Sequence, residues 1–65
     1  MNLVVNGEPA EVADGCTVTE LVAQLMATPS GIAVAVDGEV RPRHVWDDTL
    51  QEGSRVEVLT AVQGG

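Results

Sequence analysis

The sequence predicts an α+β fold in which a mixed sheet of four or five strands wraps one main helix. Three observations predict it. The hydrophobic patterning runs β-β-α-β-(β)-β along the chain. One segment, and no other, carries an apolar stripe at helical spacing. The chain has 65 residues, and at that size a domain buries only roughly 60% of the surface it exposes unfolded. That is enough for two packed layers and a single core.

The opening reads as a β-hairpin. Leu3-Val4-Val5 is rich in β-branched residues and ends at Asn6-Gly7, a dipeptide suited to the positive φ angles of a two-residue turn. Ala10-Glu11-Val12 is the expected return strand, with Pro9 at its entrance and Asp14-Gly15 closing the unit. Thr17-Val18-Thr19-Glu20 then has the form of a capping box, a reciprocal bond between the Thr17 and Glu20 side chains and backbone. Behind it Val18, Leu21, Val22, Leu25 and Met26 form the stripe of a helix of two to three turns, which Pro29 and Ser30-Gly31 end. A helix that short needs a surface to pack on.

Ile32 to Val36 is a continuous apolar run, expected to be a strand buried on both faces or centrally placed. Asp37-Gly38 turns the chain into a short strand at Glu39-Val40-Arg41. Pro42 begins an irregular or single-turn helical stretch through Trp46, the only aromatic residue and a plug for one end of the core. A polar loop from Asp47 to Ser54 has Leu50 as its apolar anchor and Gly53 as its turn. In the final strand, from Arg55 to Val62, alternation sends Val56 and Val58 to the core and Arg55 and Glu57 outward. The same alternation leaves Leu59 and Ala61 on the outer side, where an apolar pair serves no core. One diagonal helix on such a sheet is most compactly solved by the β-grasp, or ubiquitin-like, architecture, although strand order is not legible. The expected division is a globular part, residues 1–62, and a flexible diglycine tail, residues 63–65.

Composition narrows the function. Ten acidic residues stand against three arginines and no lysine, for a formal net charge of -7. Neutralising phosphates requires clustered cations, so neither nucleic acid nor an anionic membrane is an expected partner. A protein with a basic face is, because complementary fields raise encounter rates. With 45% hydrophobic residues the chain is too apolar to be disordered. The start has no basic region and no apolar stretch approaches the roughly 20 residues that span a bilayer, so cytoplasm is the expected location.

Catalytic chemistry is absent from the residue inventory. Cys16 precedes the helix N-terminus, which favours a thiolate, but no base stands at a recognisable spacing and a small packing residue is the plainer reading. His44 is a lone loop histidine. Asp47, Asp48 and Glu52 lack the oxygen-ligand pattern of a cation loop and read as a solvated face. Arg41-Pro42-Arg43 is a basic spot suited to surface pairing. No catalytic residue, no metal site and no bound cofactor is expected. What remains is Gln63-Gly64-Gly65. A chain end can simply fray, but two residues without Cβ can also thread a slot too narrow for other backbones and present a carboxylate to a foreign active site. From Ala61 onward the extended backbone reaches on the order of 16 Å.

The run Ile32 to Val40, then Pro42-Arg43, Trp46, Glu52-Gly53, and Arg55 through Ala61-Val62-Gln63-Gly64-Gly65, closely resembles the ThiS family, the sulfur carriers of thiamin thiazole biosynthesis. The combination of Pro42-Arg43-x-x-Trp46 with Ala61-Val62-Gln63-Gly64-Gly65 is its specific part. The resemblance implies that an E1-like adenylating enzyme of the ThiF kind uses ATP and Mg²⁺ to activate the carboxylate of Gly65. Sulfur from a donor such as a cysteine desulfurase would then give a thiocarboxylate, which a ThiG-like thiazole synthase consumes. The chain would be a co-substrate and not an enzyme, its tail residues Gln63, Gly64 and Gly65 entering partner active sites. Leu59 and Ala61 are the expected docking residues. Three alternatives stand beside it: the small subunit of molybdopterin synthase or another sulfur carrier, a ubiquitin-like protein modifier, and a plain interaction module.

Overall fold

The computed structural model describes residues 1–25 and 31–60. In chain order they form β1 (Asn2–Val5), β2 (Glu8–Glu11), α1 (Val18–Leu25), β3 (Ile32–Val36), β4 (Glu39–Val40), a 3₁₀ turn (Arg43–Val45) and β5 (Arg55–Thr60). The strands make one mixed sheet in the order β2-β1-β5-β3-β4. β5 runs parallel to β1 and antiparallel to β3. The strand that comes last in the sequence is therefore the middle of the sheet, which is the expected β-grasp arrangement. The helix end at Met26 and Pro29 lies outside the described residues, as does everything after Thr60.

Both hairpin turns are built as their dipeptides require. Asn6 and Gly7 have φ of 51° and 83°, and Asp37 and Gly38 have φ of 52° and 86°, so both central positions of each turn are left-handed. The two turns also close the ladders onto β5. Asn6 donates its N–H to Val56 O at 2.9 Å, and its Oδ1 accepts the Val58 N–H at 2.8 Å. Asp37 donates its N–H to Arg55 O at 2.7 Å, and its Oδ1 accepts the Arg55 N–H at 2.9 Å. A side chain thus replaces a backbone carbonyl on each flank, where β1 and β3 have already turned away.

β2 starts two residues earlier than its pattern suggests, at Glu8, so Pro9 lies within the strand opposite Val4. Val4 sends its N–H the other way, to Ser54 O at 3.0 Å, and Pro9 faces the outer edge, so its missing donor breaks no ladder bond. The capping box is formed. Glu20 N–H donates to Thr17 Oγ1 at 3.1 Å and Thr17 N–H to Glu20 Oε1 at 3.0 Å. The Thr19 N–H, another donor of the first helical turn, reaches Trp46 O at 3.1 Å. The 3₁₀ turn and the loop behind it thereby close the N-terminal end of α1.

Val18, Leu21 and Val22 of α1 are buried in one cluster with Leu3, Val34 and Val56. Trp46 plugs this core as expected, 4% exposed, its indole N–H donating to Arg41 O at 2.8 Å. Leu50 anchors the polar loop, also buried. Two expectations fail. Leu25, on the predicted stripe, is 47% exposed, because periodicity marks a helix face and not how far the sheet extends beneath it. β3 is buried on one face only. Val34 and Val36 point inward while Ala33 is exposed, although β3 does lie inside the sheet, between β5 and β4. Alanines carry too little apolar surface to demand cover.

Cys16 is a core residue at 3% exposure, its Sγ donating to Thr17 O at 3.4 Å. Burial, and then the nearby Glu20 charge, raise its pKa above the ordinary 9.0. The direction is opposite to the one that a position before a helix N-terminus suggests, because burial disfavours the charged thiolate.

Two tests follow from this packing. Asn6→Gly keeps the turn but leaves the Val58 N–H without its acceptor, and should cost about 1–3 kcal/mol in denaturant unfolding. Asn6→Asp keeps the acceptor and should cost less than half as much; equal losses would refute the role of Oδ1. Cys16 should alkylate far more slowly in the native chain than after unfolding. Its contribution to stability should be full below the unfolded thiol pKa and decline as pH climbs through the raised folded value, a loss confined to alkaline solution. Native labelling as fast as that of a small free thiol would contradict the burial.

Candidate partner-docking site

β5 determines what the outer face of the sheet displays. Its inward residues Val56 and Val58 are core, and Arg55, Glu57 and Leu59 face solvent in a row. Leu59 is 60% exposed, so the expectation of an outward apolar residue holds. The other docking candidate, Ala61, and the tail residues Gln63, Gly64 and Gly65 lie outside the described residues.

Register adds neighbours that the sequence pattern did not supply. Ala33 stands directly across from Leu59, and Ala35 is flanked by Glu57 on one side and Val40 on the other. Val40 is 71% exposed on the short edge strand β4. Leu59, Ala33, Ala35 and Val40 therefore share one surface, bordered by Glu57. The inward-outward size alternation of β3, small at Ala33 and Ala35 and large at Val34 and Val36, was the signal for an open outer face. Exposed apolar residues grouped in this way mark an interaction surface more often than a scatter of single ones.

At the C-terminal end of β5 this surface deepens into a shallow hollow lined by Gly31, Ile32, Ala33, Arg43, Leu59 and Thr60. Arg43 reaches it from the 3₁₀ turn, its guanidinium carbon 4.4 Å from the centre of the Trp46 ring. A second open depression, at the other end of β5, lies between the two hairpin turns, with Val4, Asp37, Arg55 and Glu57 among its walls.

Among the described residues that line them, no reacting groups converge on either. Cys16 is sealed in the core, and His44 sits exposed in the 3₁₀ turn. Asp47 Oδ1 accepts from Thr19 Oγ1 at 3.1 Å. Both oxygens of Glu52 accept the Asn2 N–H at 3.1 Å. These acids serve local structure. Among the described residues no three His, Cys, Asp or Glu side chains are grouped to hold a metal ion, and no helix is long and apolar enough to cross a membrane.

Known proteins share both the sequence and this architecture. A model described as the ThiS family matches residues 3–65. The sulfur carrier protein ThiS of Escherichia coli (strain K12) is 30% identical over 66 residues, covering 100% of both chains. The crystal structure of a thiamine biosynthesis protein (ThiS) from Geobacter metallireducens is 40% identical and superposes with a TM-score of 0.84, covering 100% of both chains. An NMR solution structure of a thiamine biosynthesis protein from the same organism, also 40% identical, gives 0.81 and covers 100% of this chain and 88% of that one. A family match from residue 3 to residue 65, together with a solved ThiS structure 40% identical that superposes over the whole chain, leaves one conclusion: the chain belongs to the ThiS family.

Proposed function

We propose that this chain is a sulfur carrier of thiamin biosynthesis that works through the carboxylate of Gly65. The observation that carries the reading is the family match, which continues past β5 and through Gln63-Gly64-Gly65 to residue 65. The E. coli sulfur carrier, matched over 100% of its own length, supports the same assignment.

The chemistry divides between the chain and its partners. A carboxylate is a poor electrophile. An E1-like, ThiF-like enzyme with ATP and Mg²⁺ converts it to an acyl adenylate, the Gly65 oxygen attacking the α-phosphorus and pyrophosphate leaving. Attack by sulfide on the acyl carbon then expels AMP and leaves the thiocarboxylate. A persulfide from a cysteine desulfurase reaches the same product once a thiol cleaves the acyl disulfide first formed. A ThiG-like thiazole synthase takes the sulfur into the ring, and the carrier carboxylate is regenerated. The chain binds no cofactor and supplies no catalytic group. Gly64 and Gly65 bring no side chain into the partner's slot, and the tethered sulfur arrives at high effective concentration. Leu59, with Ala61, docks the globule on the activating enzyme while the tail enters. The lone buried thiol suits the reducing cytoplasm in which this reading places the chain.

The test is a mass measurement. Incubated with the activating enzyme, ATP, Mg²⁺ and a sulfur donor, the chain should gain the mass difference between sulfur and oxygen, and a chain lacking Gly65 should gain nothing. An unchanged native mass, or a shift that survives the deletion, defeats the proposal. Leu59→Glu should keep the melting temperature near that of the native chain and raise the KM for adenylation about tenfold or more, the range of a buried interface residue. Unaltered KM would move the docking surface elsewhere.

A further inference from the structure

Asn6 is held by β5 on one side and followed by a reactive neighbour on the other. Its backbone N–H donates to Val56 O at 2.9 Å and its Oδ1 accepts the Val58 N–H at 2.8 Å. Main chain and side chain thus both reach toward β5. The strand order β2-β1-β5 sends Gly7, which leads into β2, toward the opposite edge of β1. Asn6 is also the only asparagine of the chain that precedes glycine; Asn2, the other one, precedes Leu3. Asparagine is among the thermally labile residues. Its weakness is greatest before glycine, where no side chain covers the next backbone nitrogen.

The reaction needs only water. The Gly7 nitrogen, once its proton has passed to hydroxide, attacks Asn6 Cγ. The new C–N bond closes a five-membered imide, the bond from Cγ to Nδ2 breaks, and Nδ2 takes up a proton and leaves as ammonia. Water then opens the ring. Attack at Cγ gives an ordinary aspartate at position 6, and attack at the main-chain carbonyl gives a β-linked aspartate whose backbone runs through Cγ. Nothing is oxidised or reduced.

The native turn obstructs ring closure in two ways. Asn6 has φ of 51°, and in this left-handed region ψ is positive, whereas the imide forces ψ negative. Bringing Cγ to Gly7 also withdraws Oδ1 from Val58 and leaves its N–H without an acceptor. We propose that Asn6-Gly7 is a self-modifying site that its contacts with β5 keep inert, reacting only when the attachment of β1 to β5 opens. The β-linked product lengthens the main chain of a two-residue turn by one atom, so a chain that has reacted this way does not rebuild the turn. The Asp37-Gly38 turn has the matching contacts, to Arg55 O at 2.7 Å and from the Arg55 N–H at 2.9 Å. Its ionised carboxylate resists a nitrogen anion, which leaves Asn6 the faster of the two.

The experiment holds the full chain at mildly alkaline pH, with and without enough denaturant to unfold it, and follows the mass of the fragment containing position 6. A peptide spanning Val4 to Pro9, kept in the same two solutions, corrects for the denaturant itself. Exchange of the amide for a hydroxyl should run about tenfold or more slower in the native chain than in the unfolded one, in the ratio set by the time spent open. The β-linked product, detected by methyl transfer from S-adenosylmethionine with an isoaspartyl-specific methyltransferase, should melt below both the native chain and Asn6→Asp, or fail to refold. Equal corrected rates, a faster native reaction or no reaction in either solution overturns the proposal. A β-linked product that melts with the native chain overturns it as well.

Discussion

β5 has hydrogen-bonding neighbours on both edges, and the fold depends on that double attachment. β1 flanks it on one edge and β3 on the other, and each is followed by a hairpin turn whose first residue lends a side-chain oxygen to an N–H of β5. Without Asn6 Oδ1 and the Asp37 carboxylate, the Val58 and Arg55 donors would lose their acceptors at the point where each flanking backbone curls away. The core follows from the same insertion. Val56 and Val58 lie between Leu3 and Val5 on one side and Val34 and Val36 on the other, and α1 lays Val18, Leu21 and Val22 across them. In a chain with one cysteine and no possible internal disulfide, this packing supplies the stability that a covalent staple gives other small domains.

Features written in local spacing were legible in the amino-acid sequence. Both left-handed turns, the Thr17–Glu20 capping box, the inward Val56 and Val58, the plug at Trp46 and the anchor at Leu50 each depend on residues within a few positions of one another. Features that depend on register were not. No local pattern states that the last strand lies in the middle, and so none states that Ala33 and Val40 join Leu59 on one face. Nor could spacing show that the Asn6 amide oxygen travels 52 positions along the chain to meet Val58. Leu25 was misjudged for a related reason, since periodicity marks the face of a helix and not what lies beneath each of its turns. For the candidate site, the outward Leu59 was legible by alternation, whereas the hollow beside it needed the Ile32–Thr60 pairing and the reach of Arg43 from a separate turn.

Among the described residues, the folded body brings no set of reacting groups together. Its acids cap a helix, hold a backbone N–H or face solvent, and its one thiol is sealed. A domain so small has little interior to give to a catalytic cavity, and what its surface offers is recognition: an apolar patch on an open sheet face, within a strongly acidic whole. Long-range attraction brings such a body to a basic partner quickly, while the apolar contacts and a few fixed charges decide how it settles.

The central place of β5 also bears on how the molecule is made. Arg55–Thr60 leaves the ribosome after every other strand, yet nothing can complete the sheet until it arrives. A product cut short before Arg55 lacks the spine to which both hairpins attach, and remains unfinished. Completion of the sheet thus waits on the six residues of β5, and the two hairpins gain their common spine only once those residues are in place.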